Sequence, residues 1–321
     1  MNKKYPLKIF AVVSLVIIVI ASIITGVLGV HSSIEIGGGS QIAIQTSYEN
    51  ADHVMVDGRE NVNAYLKKVK PILSKHGAYV DSYFVEDKLT DTYLVIRMTK
   101  QNLKDVESIK TEIATELDID AARISDVQKI DSYFSNKTML FVGLAILAII
   151  VIAFFIGLFR YGIVGGTSLL FAIMHNIIMS LALIFLTRAQ LSMIGIVSII
   201  ALTVIGIFAY VYMLEQVRED KKSKQYQDYS HADLMITATK KNKAIIFMAA
   251  AIVIVSIVLA LVPINHIRFA GLSMFLSTIA AAYTFFGISP AIHAALSEIQ
   301  SQRQKDKLST NVKPAKTKKT K

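Results

Sequence analysis

The residues able to do chemistry in this chain are few. His175 and Asn176 lie side by side in a long apolar stretch. They sit about fourteen residues from its start, or about 20 Å at 1.5 Å per residue, close to mid-depth if the stretch spans a membrane. Histidine has an unperturbed pKa near neutrality and can carry protons there, whereas an amide cannot. Two readings of the pair stay open. One is a neutral imidazole and an amide hydrogen-bonded across helices; the other is a proton or polar relay in which His175 titrates along a water-filled path. Arg160, Glu215 and Arg218 stand where apolar segments leave the lipid. No Asp or Glu lies well inside any apolar segment after residue 138, so a carboxylate relay cannot be built from this chain alone.

Other chemistries lack a motif. The seven His residues are scattered and give no metal-ligand spacing. Gly37-Gly38-Gly39 precedes a strand pattern instead of opening a helix, and no Lys-Ser/Thr pair follows it, so it is not a phosphate loop. Neither GxSxG nor HExxH occurs. The expectation is a protein that is not an enzyme and that needs no cofactor and no metal.

The elements that must position these residues are mostly apolar helices. Hydrophobic residues make up 53% of the chain, and the mean hydropathy is +0.50, as in a polytopic membrane protein. Six transmembrane helices are expected, near residues 9–30, 138–158, 162–186, 191–214, 244–262 and 269–292. The first is longer than the apolar core of a cleaved signal peptide and reads as an anchor. With no Cys, no disulfide can staple the polar segment at 31–137, which must hold itself by its own core. Its pattern predicts strand, helix, strand, strand, helix, strand: a strand with Ile42 and Ile44 on one face, a helix over 59–76 stopped by Gly77 and kinked by Pro71, a strand pair, a helix over 102–117 and a last strand over 123–130. That order is the ferredoxin-like α+β (βαββαβ) motif.

The parts are therefore residues 1–30, an N-terminus and first helix; 31–137, an external domain; 138–298, a five-helix bundle; and 299–321, a basic tail. Lys and Arg gather at the N-terminus, the Arg160 turn, the 215–243 connection and the tail, which makes both termini cytoplasmic by the positive-inside rule. The net charge of +10 is thus topogenic and suited to anionic lipids, not to nucleic acid. Gly162 and Gly166 form a GxxxG step. Ser273, Ser277 and Ala281 form a small-residue stripe, and both suit close helix packing.

Taken in order, these stretches resemble the SecD/SecF family of protein-translocase subunits, and within it the smaller SecF half, whose membrane fold is of the resistance-nodulation-division type. IEIGGGS, with Glu35, Gly38 and Gly39, is similar to the family's approach to the external domain. FRYGIVGGTSLLFAIMHN, with Arg160, is similar to the opening of its third span. LEQVRED, with Glu215 and Arg218, is similar to the exit of the fourth, and IRFAGLSMFLSTIAAAYTFFGISPAI to the last. Two departures matter. Asn176 stands where the family carries Asp, and Phe208, Ala209, Tyr210, Val211 and Tyr212 stand where its fourth span carries Asn-Asp-Thr. The resemblance implies a subunit of the bacterial plasma membrane that assists outward movement of exported polypeptides and draws on the proton motive force. Its implied partners are a SecD-like subunit, the SecYEG channel and a YidC-type insertase. A non-transporting scaffold of that complex and a degenerate efflux or lipid transporter are the alternatives.

Overall fold

A computed structural model describes residues 7–46, 59–88, 91–99, 105–132, 136–226, 228–262 and 265–311. Lys3, Lys4, the start of the second expected domain helix at 101–104 and the tail from 312 onward lie outside the described residues. The chain opens on α1 (Leu7–Leu28), an Ile/Val/Leu-rich helix whose buried residues are Ser14 and Ala21.

The polar segment then folds as α2 (Ile34–Gly37), β1 (Gly39–Thr46), α3 (Arg59–Lys75), β2 (Val80–Lys88), β3 (Asp91–Met98), α4 (Val106–Leu117) and β4 (Gln128–Ile130). Alternation in β1 and β3 sends Ile42, Ile44, Leu94 and Ile96 to one face, where Ile42 opposes Ile96 and Ile44 opposes Leu94. The sheet is antiparallel throughout, in the order β2-β3-β1-β4. Leu66, Val69 and Leu73 on α3 and Ile109 and Ile113 on α4 complete a single core over that face. Each such side chain contributes about 1.5–3 kcal/mol by burial, which is how the segment folds without disulfides. α3 runs on through Pro71, and the last strand is shorter than its pattern. A 3-10 turn at Ala121–Arg123, capped by Asp120, uses up the start of that pattern, and Ile124 keeps a bridge to Ile44.

The remainder is helical: α5 (Asn136–Leu186), α6 (Met193–Lys222), α7 (His231–Lys241), α8 (Lys243–Leu261), α9 (Asn265–Ala282), a π segment (Tyr283–Ile288) and α10 (Ser289–Asn311). Among the described residues four helices are long and apolar enough to cross a membrane, or five when α7 and α8, bent by 56°, count as one. The longest, Lys137–Leu186, has 50 residues, about 75 Å of helix against a hydrocarbon core of about 30 Å. It is broken at Gly162, whose φ of +74° only glycine adopts without strain. A side-chain carbon on Gly157 would lie 2.9 Å from Gly166 Cα, and one on Gly166 would lie 3.0 Å from the Leu158 nitrogen. Residues nine apart on a straight helix are separated by about 13 Å, so α5 folds back on itself here.

This corrects the expected GxxxG step. Gly162 is the turn, and nothing lies within 4 Å of where a side-chain carbon on it would stand; Gly157 is the residue that meets Gly166. The connection over 215–243 also differs from a plain loop, because α7 buries Leu234, Met235 and Ala238 against the bundle. α10 continues past 298 to Asn311. Its run SEIQSQRQKDK holds good helix formers with no Gly or Pro, so the first part of the expected tail is helix.

The domain docks on the turn between α5 and α6. Leu191 pairs with Ser32 in a parallel bridge, Arg188 donates to the Gly29 carbonyl at 2.6 Å, and the His31 ring stands 5.7 Å from Tyr79 and 6.3 Å from Phe269. A bulge in β2 at Asp81 leaves that residue out of the ladder. Its buried carboxylate accepts a hydrogen bond from buried Gln190.

Candidate functional site: a buried polar network

The second half of α5, residues 163–186, carries His175 and Asn176 into the bundle on different sides. Successive residues of a helix point about 100° apart and do not face each other. His175 Nε2 lies 2.9 Å from Ser14 Oγ on α1, and Nδ1 lies 2.8 Å from Thr284 Oγ1 at the start of the π segment. Tyr283 closes the group: its hydroxyl donates to the Phe10 carbonyl at 2.7 Å and rests 3.1 Å from Ser14 Oγ. Both hydroxyl partners of the ring can donate or accept, so the network satisfies either neutral tautomer. The contact with His175 accounts for Ser14 being the buried polar residue of α1.

Asn176 is fully buried and turns toward α6, where its Nδ2 donates to Thr203 Oγ1 at 2.8 Å. The two neighbours thus take different hydrogen-bond partners, and among the described residues no hydrogen bond joins the Asn176 amide to the His175 ring. Tyr210 is a further polar group, and one that a search for carboxylates passes over. It is fully buried, and its hydroxyl reaches Ser168 Oγ at 3.0 Å and the Ser289 carbonyl at 3.2 Å. A Tyr inside an apolar run is the available signal, shared here with Tyr212, since a buried phenol needs a partner.

The residues expected at the rim do meet. Arg160 Nε donates to Glu215 Oε2 at 3.0 Å, the Tyr161 hydroxyl donates to the same oxygen at 3.0 Å, and Arg218 Nη1 lies 3.7 Å from Oε1. This knot ties the turn of α5 to the exit of α6. Glu35 stands at the opposite junction, where the Met193 N–H approaches its carboxylate at 3.4 Å. Gly38 takes φ +66° between α2 and β1, and a side-chain carbon on Gly39 would strike the Met98 carbonyl. Ser273 and Ser277 are fully buried on α9, with Ser273 Oγ 3.1 Å from where a Gly195 side-chain carbon would be. Gly206 on α6 leaves room for the Phe285 ring, which would overlap any side-chain carbon there. Among the described residues no cluster of three or more His, Asp or Glu could hold a metal.

The arrangement thus joins α1, α5, α6 and the π segment by neutral hydrogen bonds through the middle of the bundle. Such bonds average about 0.6 kcal/mol between membrane helices, so they specify packing more than they drive it. π segments commonly mark functional places in helices, and this one presents Thr284 to the imidazole.

No family model matches the chain, and no curated protein matches it in sequence. Solved structures do match in fold. The crystal structure of SecDF in its super-membrane-facing form aligns with a TM-score of 0.67 at 13% identity, over 96% of this chain and 40% of that one. SecDF from Thermus thermophilus, described as a translocon-associated membrane protein, aligns with a TM-score of 0.60 at 12% identity, over 92% and 39%. The chain spans about two fifths of the length of these structures. It has a SecDF-like fold, with several apolar helices of membrane-spanning length and a small antiparallel sheet domain inserted after the first.

Proposed function

We propose that this chain is the SecF-like half of a Sec-associated complex in the bacterial plasma membrane, and that it assists exported polypeptides on their way out. The observation that carries the reading is the alignment of 96% of the chain, domain and bundle together, with a part of SecDF. In this reading the fold-back at Gly162 counts as two spans and the bent α7–α8 pair as one, giving six with both termini cytoplasmic. The strand order β2-β3-β1-β4 is read as the ferredoxin-like motif, standing outside the membrane. Partners are a SecD-like subunit, the SecYEG channel and a YidC-type insertase, with anionic lipid at the basic face. No enzymatic step is assigned to the chain.

Proton coupling belongs to the partner in this proposal. His175 already has a hydroxyl partner on each ring nitrogen, and no acid accompanies it into the interior. His175→Ala should weaken gradient-dependent export modestly, while removal of a membrane Asp from the partner abolishes it. Export kinetics in inverted vesicles, with and without a proton gradient, test this. Abolition by His175→Ala in a complex that still assembles would move the relay into this chain. The hydrogen-bonded His175 ring favours a second reading, a scaffold that braces the complex without moving. Loss of assembly of the other Sec components in a null strain, with export by the intact complex indifferent to the proton gradient, would select that reading. Failure of the tagged chain to co-purify with any Sec component after mild extraction would reject both.

A further inference from the structure

A second polar cluster lies far from His175, where α6, α7 and α10 converge. Lys221 Nζ contacts His231 Nε2, and the His231 and His293 rings lie 6.4 Å apart between centroids. His293 is 7% exposed, and its buried Nδ1 has no hydrogen-bond partner among the described residues. His231 is the first residue of α7, an 11-residue helix capped by the Ser230 hydroxyl on the Asp233 N–H, so the N–H groups of His231 and Ala232 and the positive end of the dipole are what this end offers. The nearby acids are engaged elsewhere. Asp220 binds Lys241 at 2.9 Å, and Asp233 accepts from the Ser230 hydroxyl at 2.7 Å. Among the described residues no carboxylate pairs with Lys221.

An ammonium, an unpartnered imidazole nitrogen and a helix N-terminus, whose one first-turn acid, Asp233, is turned to the Ser230 hydroxyl, make a site for an anion. A metal ion fits poorly, because two imidazoles are too few ligands and the ammonium would repel it. The depth suits a phosphate. α6 has 30 residues, about 45 Å of helix against a hydrocarbon core of about 30 Å, so Lys221 near its end stands at headgroup level. Tyr226 and Tyr229 pack edge to face beside it, centroids 5.2 Å apart, as tyrosines do at a membrane–water boundary.

We propose that Lys221, His293 and the N-terminus of α7, with His231 between them, bind a phosphate group at this end of the bundle, from either a lipid headgroup or free phosphate. Lys221 supplies the charge, His293 an N–H, and α7 its backbone donors. The inference needs the chain to sit in a membrane and is independent of any Sec role.

The test uses the full chain, delipidated in neutral detergent and titrated separately with phosphatidylglycerol, phosphatidylcholine and inorganic phosphate. Native mass spectrometry counts bound lipid, and phosphorus NMR line width follows the inorganic ion. Phosphatidylglycerol retained in preference to phosphatidylcholine identifies a headgroup site; binding of inorganic phosphate as well identifies a general phosphate site. Lys221→Ala, at an exposed position, should lower binding about five-fold, equivalent to ~1 kcal/mol. His293→Gln, which keeps an N–H donor, should lower it less. No preference for phosphatidylglycerol together with no phosphate binding, or unchanged binding in Lys221→Ala at unchanged thermal stability, overturns the proposal.

Discussion

Gly206 and Phe285 show how narrowly single residues set this bundle. Gly206→Ala puts a methyl group into the Phe285 ring, and overpacking of a buried contact costs about 1–3 kcal/mol. Phe285→Leu in the same chain should restore most of the loss. A thermal unfolding series in detergent checks this, and a double variant no more stable than Gly206→Ala would show that the strain is relieved elsewhere. Asn176→Ala should cost less, about 0.6 kcal/mol, because it removes one interhelical hydrogen bond to Thr203. At this scale the sequence is partly legible. Mid-depth burial of His175 and Asn176 follows from counting residues, and their divergence follows from helical geometry that the pairing HN hides. Tyr210 is legible as a departure in the fourth span, but its buried hydrogen bonds to Ser168 and Ser289 are not, because a phenol reads as ordinary core.

Elements are more legible where periodicity speaks. The two-residue alternation of β1 and β3 and the apolar faces of α3 and α4 are evident, since each buries one side. Residues 31–137 expressed alone are expected to fold as a monomer with mixed α/β circular dichroism; a random-coil spectrum would contradict this. Acid stability of that domain should depend on Lys110. Its ammonium, hydrogen-bonded to Asp126, holds the Asp126 carboxyl below the usual carboxylate range. A carboxyl depressed in the folded state stabilises above its unfolded value, about 3.9, and that contribution is lost as pH falls through the folded value. The stability gap between the native domain and Lys110→Met should therefore close as pH falls from about 5 through the folded value of Asp126; denaturant midpoints over acid pH measure it. The break in α5 is legible as the turn between the expected spans at 138–158 and 162–186, but Gly162's place at the bend is hidden, because GxxxG counts residues and is silent about φ. Gly166→Leu is still expected to loosen the bundle, now by separating residue 166 from Leu158 across the fold-back. Unchanged stability would place residue 166 against lipid.

For the whole molecule, charge placement suggests an orientation that chemistry can check directly. The chain has no Cys, so single cysteines introduced at Asp120 and at Lys224 report topology without background. A membrane-impermeant maleimide added to intact cells should label the first and spare the second; the reverse pattern would invert the bundle. The span count is less legible, because the α7–α8 bend and the unbroken run from α9 to α10 blur where each crossing ends. The fold-back at Gly162 also sets an order of assembly. Gly157 and Gly166 are neighbours in sequence, so their contact closes a short loop at little entropic cost and can form while the two helices are being inserted. Ser14 meets His175 across 161 residues, and His31 meets Arg188 across 157. Those contacts must wait until α5 is complete, by which time residues 31–137 have been synthesised and can fold on their own core. Domain docking and the buried network are therefore late steps of biogenesis, and a chain arrested before α5 is complete should carry a folded domain that swings free of its bundle.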